Sequence, residues 1–311
     1  MAFLSRIGYI SAYKGGVFLA VIFTVLAFTL PSGVSTDFIK VVLTVSTFLF
    51  AILAGFIISR QDKRYDKLRE VLSHVDALWM SLFNTLSVLG PKVKKDIADI
   101  IDERFCVAYD YEIWDYQKVT FFEETIKKLY NYISKLKPKK FAHKEFIEGA
   151  FNKLKDIEVL DQQTGEIAKE KILPGEWIVM YILTGIIIFC VFFIKELSLH
   201  SIIFTILLST AVVVVMLIIR DLNNLRLKGE YLGYESGEQV FDAIGKPRYY
   251  YYAALVRGYT KKPVGKTFRI GFHEEGKKPI VLTYRQDEDW RKVVKRAYYQ
   301  GKMPGKSEEK D

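Results

Sequence analysis

The chain has 311 residues, half of them hydrophobic, and carries 45 Lys+Arg against 36 Asp+Glu for a net charge of +9. Only two cysteines, Cys106 and Cys190, are present, which excludes a disulfide framework. Four apolar runs with almost no ionisable side chain inside them exclude most readings as a soluble enzyme.

Residues 1–15 form an N-terminal segment with Arg6 and Lys14, and the first apolar run, Gly16–Leu30, is closed by Pro31. This run is short, but Ile7–Tyr13 can supply another apolar turn or two. No A-x-A-like cleavage site follows Leu30, so the run is expected to stay as a span rather than leave as a signal peptide. Val41–Ser59 follows between Lys40 and Arg60, then Trp177–Ile194 between Glu176 and Lys195, and Ser201–Ile219 before Arg220; these runs are 18 or 19 residues long. A helix rises about 1.5 Å per residue and a hydrocarbon core is about 30 Å thick, so each can cross. The predicted spans thus form two hairpins, 16–59 and 176–219. Only Lys40 and Lys195 fall in their short connections, so the positive-inside rule puts both termini and the middle segment in the cytoplasm. The expected location is the cell membrane, multi-pass.

The middle segment, 60–175, is predicted as a helical bundle. From Tyr65, apolar residues recur at Leu68, Leu72, Val75, Trp79, Leu82, Leu86 and Leu89, a heptad seam ended by Gly90-Pro91. With no breaker after Gly55, one helix should run from the second span to Leu89. Val93–Trp114 reads as a helix with Ile97, Ile100, Ile101 and Phe105 inward. A further seam runs through Val119, Phe122, Ile126, Leu129, Ile133 and Leu136. A basic linker, Lys135–Lys140, precedes a helix from about Lys144 to Leu160, and Asp161–Gly165 reads as a polar loop. Each seam fits a core within one chain, or a contact between subunits.

The region 220–300 holds most of the surplus charge, because 20 basic residues face 13 acidic ones from Arg220 to Asp311, whereas Arg60–Glu176 is balanced at 21 each. A basic segment beside a membrane suits anionic lipid. Arg248, Tyr249, Tyr250, Arg257, Lys261 and Lys262 are its predicted lipid-facing patch; no nucleic-acid motif accompanies it. Asp221 is placed to pair with Arg220 or Lys228, or with a neighbouring helix. Thr267–Phe272 and Pro279–Tyr284 read as a β-hairpin, followed by a helix opened by Asp287, Glu288 and Asp289. That trio is the best cation-site candidate, although acids in a first turn also suit the helix dipole. Residues 301–311 read as a disordered tail.

No P-loop, Rossmann fingerprint, HExxH or CxxC occurs, so neither catalytic residues nor cofactors nor a resident metal are predicted. Absence of Asp, Glu, Lys and Arg from the spans argues against a proton-coupled pump but leaves room for a passive pore. Its polar candidates are Thr44, Ser46 and Thr47 in the second span, Thr184 in the third, and Thr205, Ser209 and Thr210 in the fourth.

Several elements bring a family to mind: Gly55-Phe-Ile-Ile-Ser-Arg60 running into a charged helix (Arg64, Lys67, Arg69), Glu112-Ile-Trp114, Trp177 opening the third span, and Asp221 after the fourth. Over about residues 40–230 the chain resembles the bestrophin-like membrane proteins. Its Leu-Asn-Asn-Leu after Asp221 departs from the Pro-Phe that often follows in that family. Extended to bestrophins, the resemblance implies a homopentameric anion channel whose pore is lined by the second span, with Thr44, Thr47, Phe48, Phe50, Leu53 and Phe56 as pore-lining candidates. The fold class expected is an all-α integral membrane protein, four spans in two hairpins plus a cytoplasmic bundle and a small C-terminal β-hairpin/helix element. Expected partners are membrane lipids, further copies of the chain and, for a channel, inorganic anions. The competing reading is a non-conducting scaffold that recruits a cytoplasmic partner or anionic lipid.

Overall fold

Helices account for most of the computed structural model, which describes residues 12–34, 36–110, 121–138, 141–225, 237–251, 267–271, 280–283 and Lys292. The helices are α1 (Ala12–Thr29), α2 (Asp37–Ser87), α3 (Pro91–Asp110), α4 (Phe121–Ser134), α5 (Phe141–Lys169), α6 (Pro174–Phe193), α7 (Leu199–Asn223) and α8 (Glu238–Ile244). Three short strands follow: β1 (Tyr249–Tyr251), β2 (Thr267–Gly271) and β3 (Ile280–Thr283). The chain divides into two compact units, Met1–Tyr65 with Glu170–Leu227 and Asp66–Lys169 with Lys228–Asp311.

The first unit holds α1, the first half of α2, α6 and α7. Small residues let α1 approach α7 closely: Gly16 is buried, and a Cβ there would come within 2.7 Å of Val214 Cγ2. Phe23 and Ala27 of α1 pack with Phe192 and Ile202. A second cluster joins Phe50, Ala54 and Ile57 of α2 to Met180, Leu183 and Ile187 of α6 and to Val212, Met216 and Ile219 of α7. The connections are fastened too. Gly33 N–H donates to Phe193 O at 2.9 Å, and its missing Cβ makes room for the Phe193 ring. Ser198 caps α7 by accepting from Ser201 N–H.

In the second unit the predicted seam is core. Leu68, Val75, Trp79, Leu82 and Leu86 are buried, so the seam is filled within the chain rather than left for a neighbouring subunit. Ile97, Ile100, Ile101 and Phe105 of α3 and Ile126, Leu129 and Ile133 of α4 are buried as well. Trp79 meets Phe105 edge-on, with the Arg104 guanidinium 4.8 Å from the indole centre.

Two local expectations change. Asp161–Gly165 is not a loop, for α5 continues through it to Lys169. Asp161 turns its polarity inward, accepting from Arg104 Nη2 at 2.9 and 2.7 Å, while Thr164 donates to Leu160 O. The Tyr249 segment is not a surface patch but a strand. β1 pairs in parallel with β2, and β2 pairs antiparallel with β3, in the order β1-β2-β3.

Candidate functional site

Helix α2 presents two unlike faces where it crosses the first unit. Phe50 is 6% exposed, in the cluster with α6 and α7, and Leu53 packs against that cluster. Phe48 and Phe56, at 65% and 71%, point away from it, and so do Thr44, Ala51 and Gly55. Helical geometry accounts for the split, since two residues advance about 200° around the axis at 3.6 residues per turn. Phe48 and Phe50 must therefore lie on nearly opposite sides. Of the expected pore set, Phe50 is a core residue of this unit, Thr47 and Leu53 are half-buried, and Thr44, Phe48 and Phe56 are exposed. Thr44 turns its hydroxyl back to Lys40 O at 2.9 Å.

A polar knot closes the unit where α2 leaves its apolar run. Arg60 makes a two-pronged pair with Glu176, through Nη1 at 2.9 Å and Nη2 at 2.5 Å. Arg64, buried, donates to Gln61 Oε1 at 3.0 Å and to Asn223 O at 3.1 Å. The Asn223 side chain accepts from Ile172 N–H at 2.8 Å, which ties the approach to α6 to the end of α7. Asp221, 2% exposed, accepts from Ala12 N–H at 3.0 Å and from Arg220 Nε and Nη2 at 3.0 and 2.8 Å. It thereby caps α1 from the last turn of α7, as an acid at a helix N-terminus should. Leu225 then turns the chain with φ of 55°, the left-handed conformation common just past a helix end.

Of the three pairings expected for Asp221, the one with Arg220 forms, Lys228 lies outside the described residues, and the neighbouring helix α1 offers a backbone N–H rather than a basic side chain. The capping bond to Ala12 went unforeseen, because nothing local marks a partner so far away. Sequence alone marks Lys195 only as a charge in a connection. It is 3% exposed, and its ammonium donates to Ala27 O, one of the carbonyls that the last turn of α1 leaves open. Among the described residues, Thr184 Oγ1, Ser209 Oγ and Thr210 Oγ1 are buried without a hydrogen-bond partner. Unlike Thr44, these hydroxyls do not return to their own backbone.

The predicted lipid patch needs correction. Tyr249 and Tyr250 are each 2% exposed, with Tyr250 edge-on to Phe268. Arg248 pairs with Glu238 and Asp242, and these contacts, the Asp242 hydrogen bond foremost, raise its pKa. Arg269 sits over the rings of Phe241 and Tyr249 and is clamped by Asp102 at 2.7 and 2.6 Å. These rings and cations satisfy one another instead of facing lipid. Arg257, Lys261 and Lys262 lie outside the described residues, and so do Asp287, Glu288 and Asp289. Among the described residues no cluster of three His, Cys, Asp or Glu could hold a metal ion.

Four stretches long and apolar enough to cross a bilayer, in α1 (Ala12–Thr29), α2 (Asp37–Ser87), α6 (Pro174–Phe193) and α7 (Leu199–Asn223), define the class: a multi-span membrane protein. The family profile of the Bestrophin-like domain matches residues 15–225, and the chain belongs to the bestrophin-like family. No curated protein and no solved structure matches the chain.

Proposed function

We propose that the protein is an oligomeric channel that passes inorganic anions passively, along an axis bounded by the free face of α2. The observation that carries this reading is the uncharged face formed by Thr44, Phe48, Ala51, Gly55 and Phe56, left uncovered while Phe50, Ala54 and Ile57 pack inward. Repeated around a symmetry axis, such a face gives a conduit with aromatic constrictions at Phe48 and Phe56, where apolar rings gate by excluding water. Membership of the bestrophin-like family supports the same reading. In this arrangement both termini and the 60–175 segment are cytoplasmic, and the copies form a closed ring, a pentamer in the family pattern.

The test is current across a planar bilayer holding the purified protein in asymmetric KCl. The expected result is discrete openings that reverse toward the chloride potential, with conductance raised by Phe48→Ala or Phe56→Ala and unchanged by Phe50→Ala. Silence over repeated incorporations, with calcium present and with calcium chelated, would overturn the channel. The non-conducting scaffold would then take its place.

A further inference from the structure

Among the described residues, three hydroxyls of the first unit are buried with no hydrogen-bond partner: Thr184 Oγ1 of α6, and Ser209 Oγ and Thr210 Oγ1 of α7. Two of them share a depth. Thr184 stands nine residues before the end of α6 at Phe193, and Ser209 stands ten residues after the start of α7 at Leu199. The short connection between the helices therefore leaves the two within about 2 Å of one level. Both also fall within two residues of the middle of their apolar runs, Trp177–Ile194 and Ser201–Ile219, which is the middle of the bilayer for a spanning helix.

They share a direction as well. On α6, Met180, Leu183, Ile187 and Val191 pack into the cluster around Phe50, whereas Ile188 and Phe192 pack into the cluster around Phe23. Thr184, one turn from both Met180 and Ile188, lies between these two sides. On α7, Val212 and Met216 join the first cluster and Ile202, Ile206 and Val213 the second, with Ser209 between them. The boundary common to both clusters is the seam where α6 meets α7, so the two hydroxyls face each other across it. Thr210 is turned about 100° further, toward the side where Val214 meets Gly16 of α1. The buried residues of α1 are Ala12, Gly15, Gly16, Phe23 and Ala27, which offer Thr210 no polar side chain.

A helical Ser or Thr ordinarily bonds back to the carbonyl one turn earlier, as Thr24, Thr44 and Thr164 do. Thr184 and Ser209 do not, and they do not bond to each other. A buried hydroxyl left in that state is costly, most of all in hydrocarbon. A molecule between the two must be small and able to give or accept a hydrogen bond on each side. It must also be uncharged, because neither apolar run contains Lys or Arg to offset an anion, or Asp or Glu to offset a cation. Water meets these conditions. We propose that one water molecule bridges Thr184 and Ser209 at the bilayer midplane and is part of the fold of the α6–α7 pair. The site is independent of conduction along α2.

Reversible unfolding of the full chain in mixed micelles tests the bridge by a double-mutant cycle. Thr184→Val and Ser209→Ala each break it, so each should raise the unfolding constant about threefold, and the double variant should stay within twofold of the worse single one. Thr210→Val removes a hydroxyl with nothing opposite it and should leave the constant unchanged or lower it. A loss below twofold in either single variant, losses that multiply in the double variant, or an equal loss in Thr210→Val would each overturn the bridge. A second readout sees the water itself. Pulsed X-rays make hydroxyl radicals from water in place, and Met180, 0% exposed, sits one turn from Thr184. In nanodiscs Met180 should oxidise several-fold faster in the unaltered protein than in the double variant, and equal rates would refute a water there. Stability that tracks chloride concentration, and ceases to in the double variant, would put an anion in its place and refute the proposal as well.

Discussion

Replacing Asp221 by alanine takes away one carboxylate and strands two groups of different kinds. The first is the buried Ala12 N–H, 3.0 Å from Oδ2. An unsatisfied buried donor costs about 1–3 kcal/mol, and losing an acidic cap costs about 0.5–2 kcal/mol, two descriptions that overlap in this one bond. The second is Arg220, bound to Oδ1 but with its side chain 35% exposed, so that water replaces most of what it loses and its share is about 1 kcal/mol at most. Asp221→Ala should therefore destabilise the protein by about 2–4 kcal/mol. Asp221→Asn retains an oxygen for Ala12 and forfeits mainly the charge, so it should cost about 1 kcal/mol. Reversible unfolding in mixed micelles, followed by tryptophan fluorescence, measures both. Equal losses in the two variants, or a loss below about 0.5 kcal/mol for Asp221→Ala, would refute the capping argument.

Two further outcomes follow from the second unit. Asp161→Ala leaves the Arg104 guanidinium, 4% exposed, without the carboxylate 2.7 Å away, and should cost about 3–5 kcal/mol in denaturant unfolding. Replacing Arg104 and Asp161 together by Met and Leu should recover most of that loss; no recovery would show that the pair is not the source. Tyr132 has its pKa pushed up to about 12, by burial first and then by its hydrogen bond to Asp96 and that group's charge. A pKa raised above the unfolded value of about 10 means stability present below pH 10 and lost as pH rises toward 12. Tyr132→Phe should flatten the fall in stability across that window, and an identical alkaline profile in the variant would refute the assignment.

The features legible in the sequence were those with a repeating signature. The apolar runs and the Tyr65–Leu89 seam follow from hydropathy and from a three-four spacing, and one unbroken helix, Asp37–Ser87, carries both. Family membership was legible as well, from Gly55–Arg60, Trp177 and Asp221 taken together. The misread parts are those where a distant partner overrides local preference. Asp161–Gly165 has loop composition, yet Arg104, 57 residues earlier, pairs with Asp161 and holds it in the helix. Tyr249–Tyr251 is too short to alternate, and its register is supplied by Arg269, Ile270 and Gly271 across the sheet. The pore candidates show the same limit. Spacing alone put Phe48 and Phe50 on different faces of α2, but only the packing of α6 and α7 says that Phe50 is the inward one.

The bond from Ala12 to Asp221 joins residues 209 positions apart, and α1 packs on α7 and on Phe192 of α6. A ribosome adds about 5–20 residues per second, so α1 emerges roughly 10–40 s before the helix that completes it. During that interval Gly16, Phe23 and Ala27 must be met by lipid or by the insertion machinery. Helix α1 thus finds its place only after α7 is made, and this part of the fold closes by a clasp between segments far apart in sequence rather than by growth between neighbours.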